Sequence, residues 1–261
     1  MQELIPMNPR LKDKVILLAG AGGIGTELAR RYAQEGAAVV LGDIKLDAAD
    51  MAAAEANKDT SGEVRAIHLD GADQESVANA VKVCTDTYGR LDGLHANFAN
   101  LADWNPEHGI LDLSLEVYDA VQRVNARGFF LCTRAALPAI LESGGGSIVY
   151  TSSAAAFDSG RAQLAYAMSK AAGHALMRHV ARRYGSDGVR ANTIAPALTF
   201  HEAIEELVPV EIRKLARDRA AIKSRIGRPA DIAAMAALLM SAEGSYITGQ
   251  VICVDGGTIM R

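Results

Sequence analysis

Short apolar runs alternate with helical repeats along the whole chain. Residues 14–19, Lys-Val-Ile-Leu-Leu-Ala, are typical of a parallel strand that is buried on both faces. Further apolar runs predict strands at residues 37–42, 64–69, 91–96, 147–152, 189–195 and 250–254, and helical spacing predicts helices at about 25–35, 47–60, 74–88, 114–140, 164–184 and 229–241. The alternation, with no Pro-, Gly- or Ser-rich linker, predicts one α/β domain over residues 1–261, a doubly wound fold with a parallel sheet of about seven strands.

Composition and charge exclude several classes of protein. The chain has 261 residues, of which 49% are hydrophobic, and its 27 basic and 31 acidic residues give a net charge of -4. This balance gives no electrostatic reason to expect nucleic acid or anionic lipid as a partner. The longest purely apolar run, residues 232–240, is far shorter than the ~18 residues of a membrane span, and residues 1–10 lack the pattern of a secretory signal. We therefore expect a cytoplasmic protein with no membrane contact.

The cysteines and histidines do not predict a metal site. Cys84, Cys132 and Cys253 are isolated and odd in number, which favours reduced, buried thiols over disulfides or a zinc site. The six histidines show no ligand spacing either, so no metal is expected.

A glycine-rich turn follows the first predicted strand directly. It reads Gly20-Ala-Gly22-Gly23-Ile24-Gly25 and opens an amphipathic helix. Backbone N–H groups in such a strand-to-helix turn can bind a pyrophosphate, as in the Rossmann dinucleotide fingerprint. The motif alone would also suit a flexible turn, but its position between a strand and a helix favours the cofactor site.

An acid at the end of the second predicted strand indicates which dinucleotide is bound. Asp43 lies 18 positions after Gly25, within reach of the adenosine ribose. An acid there accepts hydrogen bonds from the ribose of NAD and repels the 2′-phosphate of NADP. Ile44 comes next, and the glycine turn carries no basic residue to receive a phosphate, whereas Lys45 is expected to face solvent. The prediction is NAD.

A serine, a tyrosine and a lysine have the spacing that alcohol and ketone chemistry requires. Tyr166 and Lys170 are four apart in a predicted helix and share one face, and Ser153 follows the end of a predicted strand. A nearby ammonium favours the phenolate, so Lys170 is expected to lower the pKa of Tyr166 toward neutrality. Tyrosine and lysine at this spacing also occur on exposed helices without any function, so the pair needs support from other motifs.

That support is a resemblance to the short-chain dehydrogenase/reductase family over most of the chain. It rests on the glycine turn, the acid at Asp43, the Ser-Tyr-Lys set, Asn125 in Val-Asn-Ala-Arg-Gly-Phe-Phe, and Val-Asp-Gly-Gly near the end. The resemblance implies that Tyr166 is the acid/base and Ser153 binds the substrate oxygen. It also implies that Lys170 is the partner of Tyr166 and hydrogen-bonds the nicotinamide ribose. Asn125 would hold a proton-relay water.

The resemblance also assigns residues along the cofactor. Asp70 would contact the adenine and Thr199 the nicotinamide carboxamide, while Asn97 would brace the central strands. From its own position before a helix, Asp73 is expected to act as an N-cap. Tyr166 and Lys170 complete the predicted cofactor contacts.

The chain departs from the family at three turns. Ala19 stands where a threonine is usual, and the glycine turn is one residue shorter. The family's Asn-Asn-Ala-Gly after the fourth strand is Ala96-Asn97-Phe98-Ala99 in this chain, with one residue matching, and its Pro-Gly after the sixth strand is Pro196-Ala197.

Residues 200–228 are helical and charged in pattern, which predicts a helical substrate lid. Seven basic residues between 213 and 228 suggest a solvated helix face more strongly than an anion-attracting lid. Four aromatic residues on loops near the expected site suggest an apolar pocket, with ordinary packing as the alternative: Phe98, Trp104, Phe157 and Phe200.

Two functions remain open from the sequence. The first is an NAD-dependent oxidoreductase that transfers a hydride between NAD(H) and a secondary alcohol or ketone. The second is a dinucleotide-sensing or scaffold protein on the same fold. The joint presence of the acid/base set favours the enzyme, and the apolar helices at 114–140 and 164–184 predict a homotetramer.

Overall fold

The computed structural model of the protein describes residues 9–60, 62–103, 109–158, 163–201 and 208–260. Within these residues one parallel sheet has the strand order β3-β2-β1-β4-β5-β6-β7. The strands are β1 (Val15–Ala19), β2 (Ala38–Asp43), β3 (Glu63–His68), β4 (Gly93–Ala96), β5 (Gly146–Thr151), β6 (Val189–Pro196) and β7 (Val251–Val254). The predicted doubly wound α/β fold is confirmed.

Helices cover both faces of the sheet. They are α1 (Gly23–Gln34), α2 (Leu46–Ala56), α3 (Gln74–Tyr88), α4 (Leu115–Gln122), α5 (Gly128–Glu142), α6 (Leu164–Tyr184), α7 (Val210–Arg219) and α8 (Pro229–Met240). The single helix predicted at 114–140 is α4 and α5, joined by a turn of π-helix at Arg123–Arg127. No helix of the described ranges combines the length and hydropathy needed to cross a bilayer.

The apolar run of β1 is continuous because its side chains alternate between two cores. Ile16 and Leu18 pack in a cluster with residues of α1, α2 and α8. Val15 and Leu17 pack on the opposite face with residues of α3, α5 and α6. A strand covered on both faces has no solvent side and therefore no polar alternation.

Of the described residues in the predicted lid, 210–219 form the helix α7. α7 lies within residues 200–228, and residues 202–207 fall outside the described part of the chain. Thr199 and Gly227 form a parallel β-bridge, which pins the two ends of the segment to each other.

The candidate site lies where the central strands of the sheet, β1 and β4, end. β1 pairs with β2 on one side and with β4 on the other, so the chain winds away from β1 in two directions. At such a switch point the loops beyond the strands' carboxyl ends separate and leave a crevice for a ligand. The turn after β1 and the turn after β4 meet there, since the Asn97 N–H donates to the Ala19 carbonyl at 2.8 Å.

Candidate active site

The glycine turn after β1 is built so that only glycine fits at two of its positions. Gly20 has φ +107°, and a Cβ there would lie 2.7 Å from the backbone nitrogen of Phe98. A Cβ on Gly25 would lie 2.0 Å from the Gly20 carbonyl oxygen. At Gly22, by contrast, a Cβ would meet no atom within 4 Å. This open space lies at the amino end of α1, where Gly22 offers no side-chain cap to the free N–H groups, so the turn fits a pyrophosphate.

The shortened turn is braced by side chains from neighbouring strands. The Ala21 N–H donates to Asp43 Oδ2 at 2.8 Å, and Asn97 Nδ2 donates to the Gly20 carbonyl at 3.1 Å. From α1, Thr26 Oγ1 donates to the Ala21 carbonyl at 2.9 Å. Asp43 thus supplies a hydrogen bond that braces the turn, although the threonine usual in the family is Ala19 here. The sequence did not predict this role of Asp43.

Asp43 can still accept hydrogen bonds from a ribose. Its second oxygen accepts the Lys45 N–H at 2.9 Å, and the residue is partly exposed beside the glycine turn. Each carboxylate oxygen has a second lone pair, so both can still accept hydroxyl groups.

Two aspartates follow β3, and one of them, Asp73, has the N-cap role that the sequence predicts. Asp73 caps α3, because its Oδ1 accepts the Ser76 N–H at 2.7 Å. Asp70 is partly exposed, and its Oδ1 accepts the Ala72 N–H at 2.8 Å. Its adenine contact stays a prediction.

A chain of buried hydrogen bonds connects α1 to the glycine turn through the sheet. The Tyr32 hydroxyl lies 2.7 Å from His95 Nδ1, and His95 Nε2 lies 2.9 Å from Thr151 Oγ1. Thr151 Oγ1 is 2.9 Å from Asn97 Oδ1, and Asn97 in turn holds the Gly20 carbonyl. Tyr32 and His95 are fully buried, and Thr151 is 5% exposed.

The direction of the hydrogen bonds from the glycine turn to His95 follows from the last link of this chain. The Gly20 carbonyl can only accept, so the Asn97 amide nitrogen faces it and Asn97 Oδ1 must accept from the Thr151 hydroxyl. Thr151 Oγ1 then accepts from His95 Nε2–H. Burial lowers the pKa of His95 to about 3, so the imidazole is neutral and its Nδ1 accepts from the Tyr32 hydroxyl.

The predicted Ser-Tyr-Lys residues lie together beside this chain. Lys170 is 1% exposed, and its Nζ donates to the Thr151 carbonyl at 2.7 Å and to the Phe98 carbonyl at 3.5 Å. The same Nζ lies 5.6 Å from the ring centroid of Tyr166, whose hydroxyl is hydrogen-bonded to Ser153. The cluster stands at the carboxyl edge of the sheet, next to the glycine turn.

Burial opposes the expected effect of Lys170 on the pKa of Tyr166. Burial raises the pKa of Tyr166 above its ordinary value, the hydrogen bond from Ser153 opposes this, and the Asp103 carboxylate adds to it. Burial also lowers the pKa of Lys170 to about 7. The predicted shift of the Tyr166 pKa toward neutrality is not seen in this structure, because desolvation of the buried phenol is the largest effect on its pKa.

Asn125 fixes the loop after β4. It lies in the π-helical turn, fully buried, and its Oδ1 accepts the Asn100 N–H at 2.6 Å. Its Nδ2 donates to the Asn100 carbonyl and to Ser169 Oγ, both at 3.0 Å. Both amide hydrogens are thus used within the protein, and the proton-relay water stays a prediction.

Two other predicted cofactor residues are packed into the fold. Thr199 is 5% exposed, and its Oγ1 donates to the Ala197 carbonyl at 3.1 Å. Ile24 is partly buried and packs against the core cluster on the α1 face. The contacts of both with a cofactor stay predictions.

Phe98 is partly buried, and its ring packs against the core. A Cβ on Gly71 would lie 2.5 Å from the Phe98 ring, and one on Gly128 would lie 2.8 Å from it. The ring also meets Phe129 edge-on, with centroids 5.4 Å apart. The space for Phe98 is therefore made by two glycines, as the ordinary-packing alternative expects.

Two of the other three aromatic candidates lie in the described part of the chain. Phe157 stacks on His174 with ring centroids 5.1 Å apart, and Phe200 is partly exposed. Trp104 lies outside the described residues.

The basic lid segment lies at the surface. α7 has no buried residue, and two of the arginines pair with acids: Arg219 with Asp158 at 2.7 Å, and Arg225 with Asp231 at 2.6 Å. These contacts agree with a solvated face.

Sequence reasoning missed three residues of the site region. His95 was detectable as a histidine inside the predicted strand at residues 91–96. His201 covers the start of α1, since a Cβ on Gly23 would lie 2.6 Å from its ring, and burial lowers its pKa. Asp103 bonds the backbone of Tyr166, and no local pattern marks it.

Two of the three cysteines are buried. Cys84 and Cys132 are buried free thiols as predicted, whereas Cys253 is partly exposed. Over the described ranges, no group of three His, Cys, Asp or Glu side chains is placed to hold a metal ion.

A glycine turn at the switch point of a parallel sheet, with an acid at the end of β2, defines a dinucleotide-binding protein of the Rossmann class. The family model described as enoyl-(acyl carrier protein) reductase matches residues 18–258. The chain belongs to the short-chain dehydrogenase/reductase family, whose members are oxidoreductases that bind a nicotinamide dinucleotide.

Individual relatives match nearly end to end. A probable short-chain type dehydrogenase/reductase of Bradyrhizobium diazoefficiens is 36% identical over 251 residues, covering 96% of this chain and 89% of that protein. The meso-2,3-butanediol dehydrogenase of Serratia marcescens is 34% identical over 249 residues, covering 95% of each. A solved structure of a 7α-hydroxysteroid dehydrogenase, complexed with NADH and 7-oxo glycochenodeoxycholic acid, has a TM-score of 0.88 at 29% identity, covering 97% of each chain.

Proposed function

We propose that the protein transfers a hydride between NAD(H) and a secondary alcohol or ketone, with Tyr166 as the acid/base. The observation that carries this proposal is the cluster at the carboxyl edge, where the Tyr166 hydroxyl is bonded to Ser153 and Lys170 is buried beside the ring. A proton donor, a second hydroxyl and a cation meet there next to the glycine turn. Such a set handles the oxygen of a carbinol or carbonyl.

Each residue has a separate task in this scheme. In oxidation the Tyr166 phenolate takes the proton of the substrate hydroxyl, and in reduction the Tyr166 phenol donates it to the carbonyl oxygen. Ser153 hydrogen-bonds the same oxygen and holds it against the phenol. Lys170 is fixed by the Thr151 carbonyl and would hydrogen-bond the nicotinamide ribose when the dinucleotide is bound. The nicotinamide dinucleotide supplies the hydride acceptor or donor when bound.

Secondary alcohols and ketones are the proposed substrate class. The relatives named for 2,3-butanediol and for a 7α-hydroxysteroid support this class, and their names differ widely in the size of the substrate. The test is a panel of small and polycyclic secondary alcohols and ketones, followed by the absorbance of NADH. Tight binding of NADH without turnover of any panel member would favour the alternative, a dinucleotide-sensing or scaffold protein.

The cofactor preference is expected to depend on Asp43. Placing a 2′-phosphate beside this carboxylate should reduce kcat/KM with NADP by roughly two orders of magnitude relative to NAD. Asp43→Asn keeps an oxygen for the Ala21 N–H but removes the charge. The ratio of kcat/KM with NAD to kcat/KM with NADP should therefore fall about tenfold or more. Asp43→Ala also removes the brace of the glycine turn and should weaken both cofactors.

The measurement is kcat/KM with each cofactor for the wild type and the two variants. Asp47→Asn, at the start of α2, is the matched control and should leave the ratio unchanged. A wild type that prefers NADP would contradict the assignment of Asp43 to the ribose.

We propose further that the protein is a cytoplasmic homotetramer. Large apolar side chains are exposed on the helices predicted to pair: Leu115 at 75%, Phe130 at 48% and Met168 at 45%. Burial of such side chains between subunits would stabilise the assembly. Sedimentation velocity at micromolar concentration should show a tetramer that Phe130→Glu dissociates, and a stable wild-type monomer would contradict it.

A further inference from the structure

The imidazole of His201 lies over the first residue of α1, beside the glycine turn. A Cβ built on Gly23 would meet the His201 Cγ, Nδ1 and Cδ2 atoms at 2.6, 2.6 and 2.7 Å. Because these three ring atoms are almost equally far from one point, the face of the imidazole covers Gly23. Within the described residues the imidazole makes no hydrogen bond, so both ring nitrogens can bind a ligand.

The backbone before His201 is fixed by pairing with a second segment. Thr199 and Gly227 form a parallel β-bridge, and the Phe200 N–H donates to the Gly227 carbonyl at 2.7 Å. His201 follows this pairing directly, and it therefore reaches the amino end of α1 from a stretch of backbone that is held in place. The contact joins two parts of the chain that are distant in sequence.

The space beside the imidazole favours an anion. Gly23 and Ile24 begin α1, so their N–H groups have no carbonyl acceptor within the helix, and the first turn of α1 carries no acidic side chain. A Cβ on Gly22 would meet no atom within 4 Å, so the turn is open at that point. A pyrophosphate that binds to such N–H groups brings two negative charges to the start of the helix. The imidazole thus stands at the edge of the place that fits the pyrophosphate.

The charges around His201 allow a bound anion to decide its protonation. The ionisable side chains of the described elements beside it are Asp43 at the end of β2, Lys45 after it, Glu27 and Arg30 in α1, and Arg228 next to Gly227. Both Asp43 oxygens already accept backbone N–H groups, and Glu27 pairs with Arg30. Burial lowers the pKa of His201, and no charged side chain of the described ranges adds to this shift. A pyrophosphate next to the imidazole favours the charged form and raises that pKa again.

Taking the dinucleotide of the proposed function as the ligand, on which this inference rests, we propose that His201 binds the pyrophosphate as an imidazolium, so that cofactor binding takes up a proton. Between the pKa of His201 in the free protein and its higher pKa in the complex, the complex holds more protons. The affinity for the dinucleotide therefore falls as the pH rises through this window. A rise of about one pKa unit on binding corresponds to about a tenfold change in Kd across the window.

Two variants separate the charge from the hydrogen bond. His201→Gln keeps a side-chain donor but cannot be protonated, whereas His201→Ala loses both. The Kd of NADH for His201→Gln should be about tenfold above the wild-type value at pH 5.5 and approach it at pH 8.5. His201→Ala should bind more weakly than the wild type at every pH. His179 is exposed on α6, and His179→Gln should follow the wild type throughout.

Isothermal titration calorimetry counts the proton directly. NADH is titrated into each protein in two buffers of different ionisation enthalpy, and the difference in heat gives the number of protons taken up on binding. The wild type should take up more protons than His201→Gln, and this difference cancels the contributions of other groups such as Lys170. ADP-ribose keeps the pyrophosphate and lacks the nicotinamide, so it should give the same difference between the two proteins.

Equal proton uptake in the wild type and His201→Gln, with a ratio of Kd values that does not change with pH, would overturn the proposal. The imidazole would then only cover Gly23. The proposed function fails in a different way, if NADH binds with the expected proton uptake but no alcohol or ketone of the panel is turned over. If His201→Ala does not fold, His201→Gln decides.

Discussion

Tyr166→Phe is expected to lower the turnover rate by about two to four orders of magnitude while the protein still folds and binds the dinucleotide. The change removes one oxygen atom and leaves the ring that lies 5.6 Å from Lys170 Nζ, so the packing at the start of α6 is kept. What is lost is the proton transfer, for which positioned acid/base groups contribute about this factor. The measurement is kcat with the best substrate of the panel, together with the Kd of NADH from fluorescence.

A matched control is available at the surface. Tyr246 is fully exposed, and Tyr246→Phe should keep the wild-type rate. A Tyr166→Phe enzyme within tenfold of the wild type would show that another group moves the proton.

Lys170→Met is expected to remove activity and, at the same time, a large part of the pH dependence of stability. The loss of the cation and of its ribose contact should reduce both the rate and the cofactor affinity. The stability effect arises because burial lowers the pKa of Lys170 from 10.5 to about 7 in the folded protein. Between these values the unfolded chain keeps a proton that the folded chain has released.

The sign of this effect follows from the number of bound protons. Stability rises with pH wherever the unfolded state holds more protons, at about 1.4 kcal/mol per pH unit for one group. The wild type should therefore gain stability from about pH 7 upward and lose it as the pH falls toward 7. Lys170→Met lacks the group, so the difference in Tm between the two proteins should change by about 3 °C per pH unit in this window.

Thermal unfolding of the cofactor-free proteins at pH 7, 8 and 9 measures this difference. Lys82 is 68% exposed, and Lys82→Met should follow the wild type at every pH. If Lys170→Met also follows the wild type, Lys170 is charged in the folded protein throughout the range.

The sequence predicted the fold because the relevant signals are local. Strands buried on both faces must be apolar along their whole length, and β1 shows this directly. Placement of the site follows from the same pattern, since parallel strands deliver Asp43 and Asn97 to one edge. The N-cap role of Asp73 was also predictable, because it depends on the three residues that follow it.

The features that the sequence did not reveal depend on distant partners. Phe98 turns inward because Gly71 and Gly128 lack side chains, and neither glycine is near it in sequence. Asp103 reaches Tyr166 only through the tertiary fold. The shift in the pKa of Tyr166 was predicted in the wrong direction, because the sequence shows the nearby lysine but does not show how deeply the phenol is buried.

The hydrogen-bond chain from Tyr32 to the glycine turn has a consequence for acid tolerance. A protonated His95 would have no acceptor to offer the Tyr32 hydroxyl, and every other donor in the chain is already committed toward Gly20. Because the pKa of His95 is about 3, the imidazole takes up no proton in mildly acidic solution. The interior support of the cofactor turn is thereby insulated from the surrounding medium, and a loss of dinucleotide binding between pH 5 and 7 would originate outside this hydrogen-bond chain.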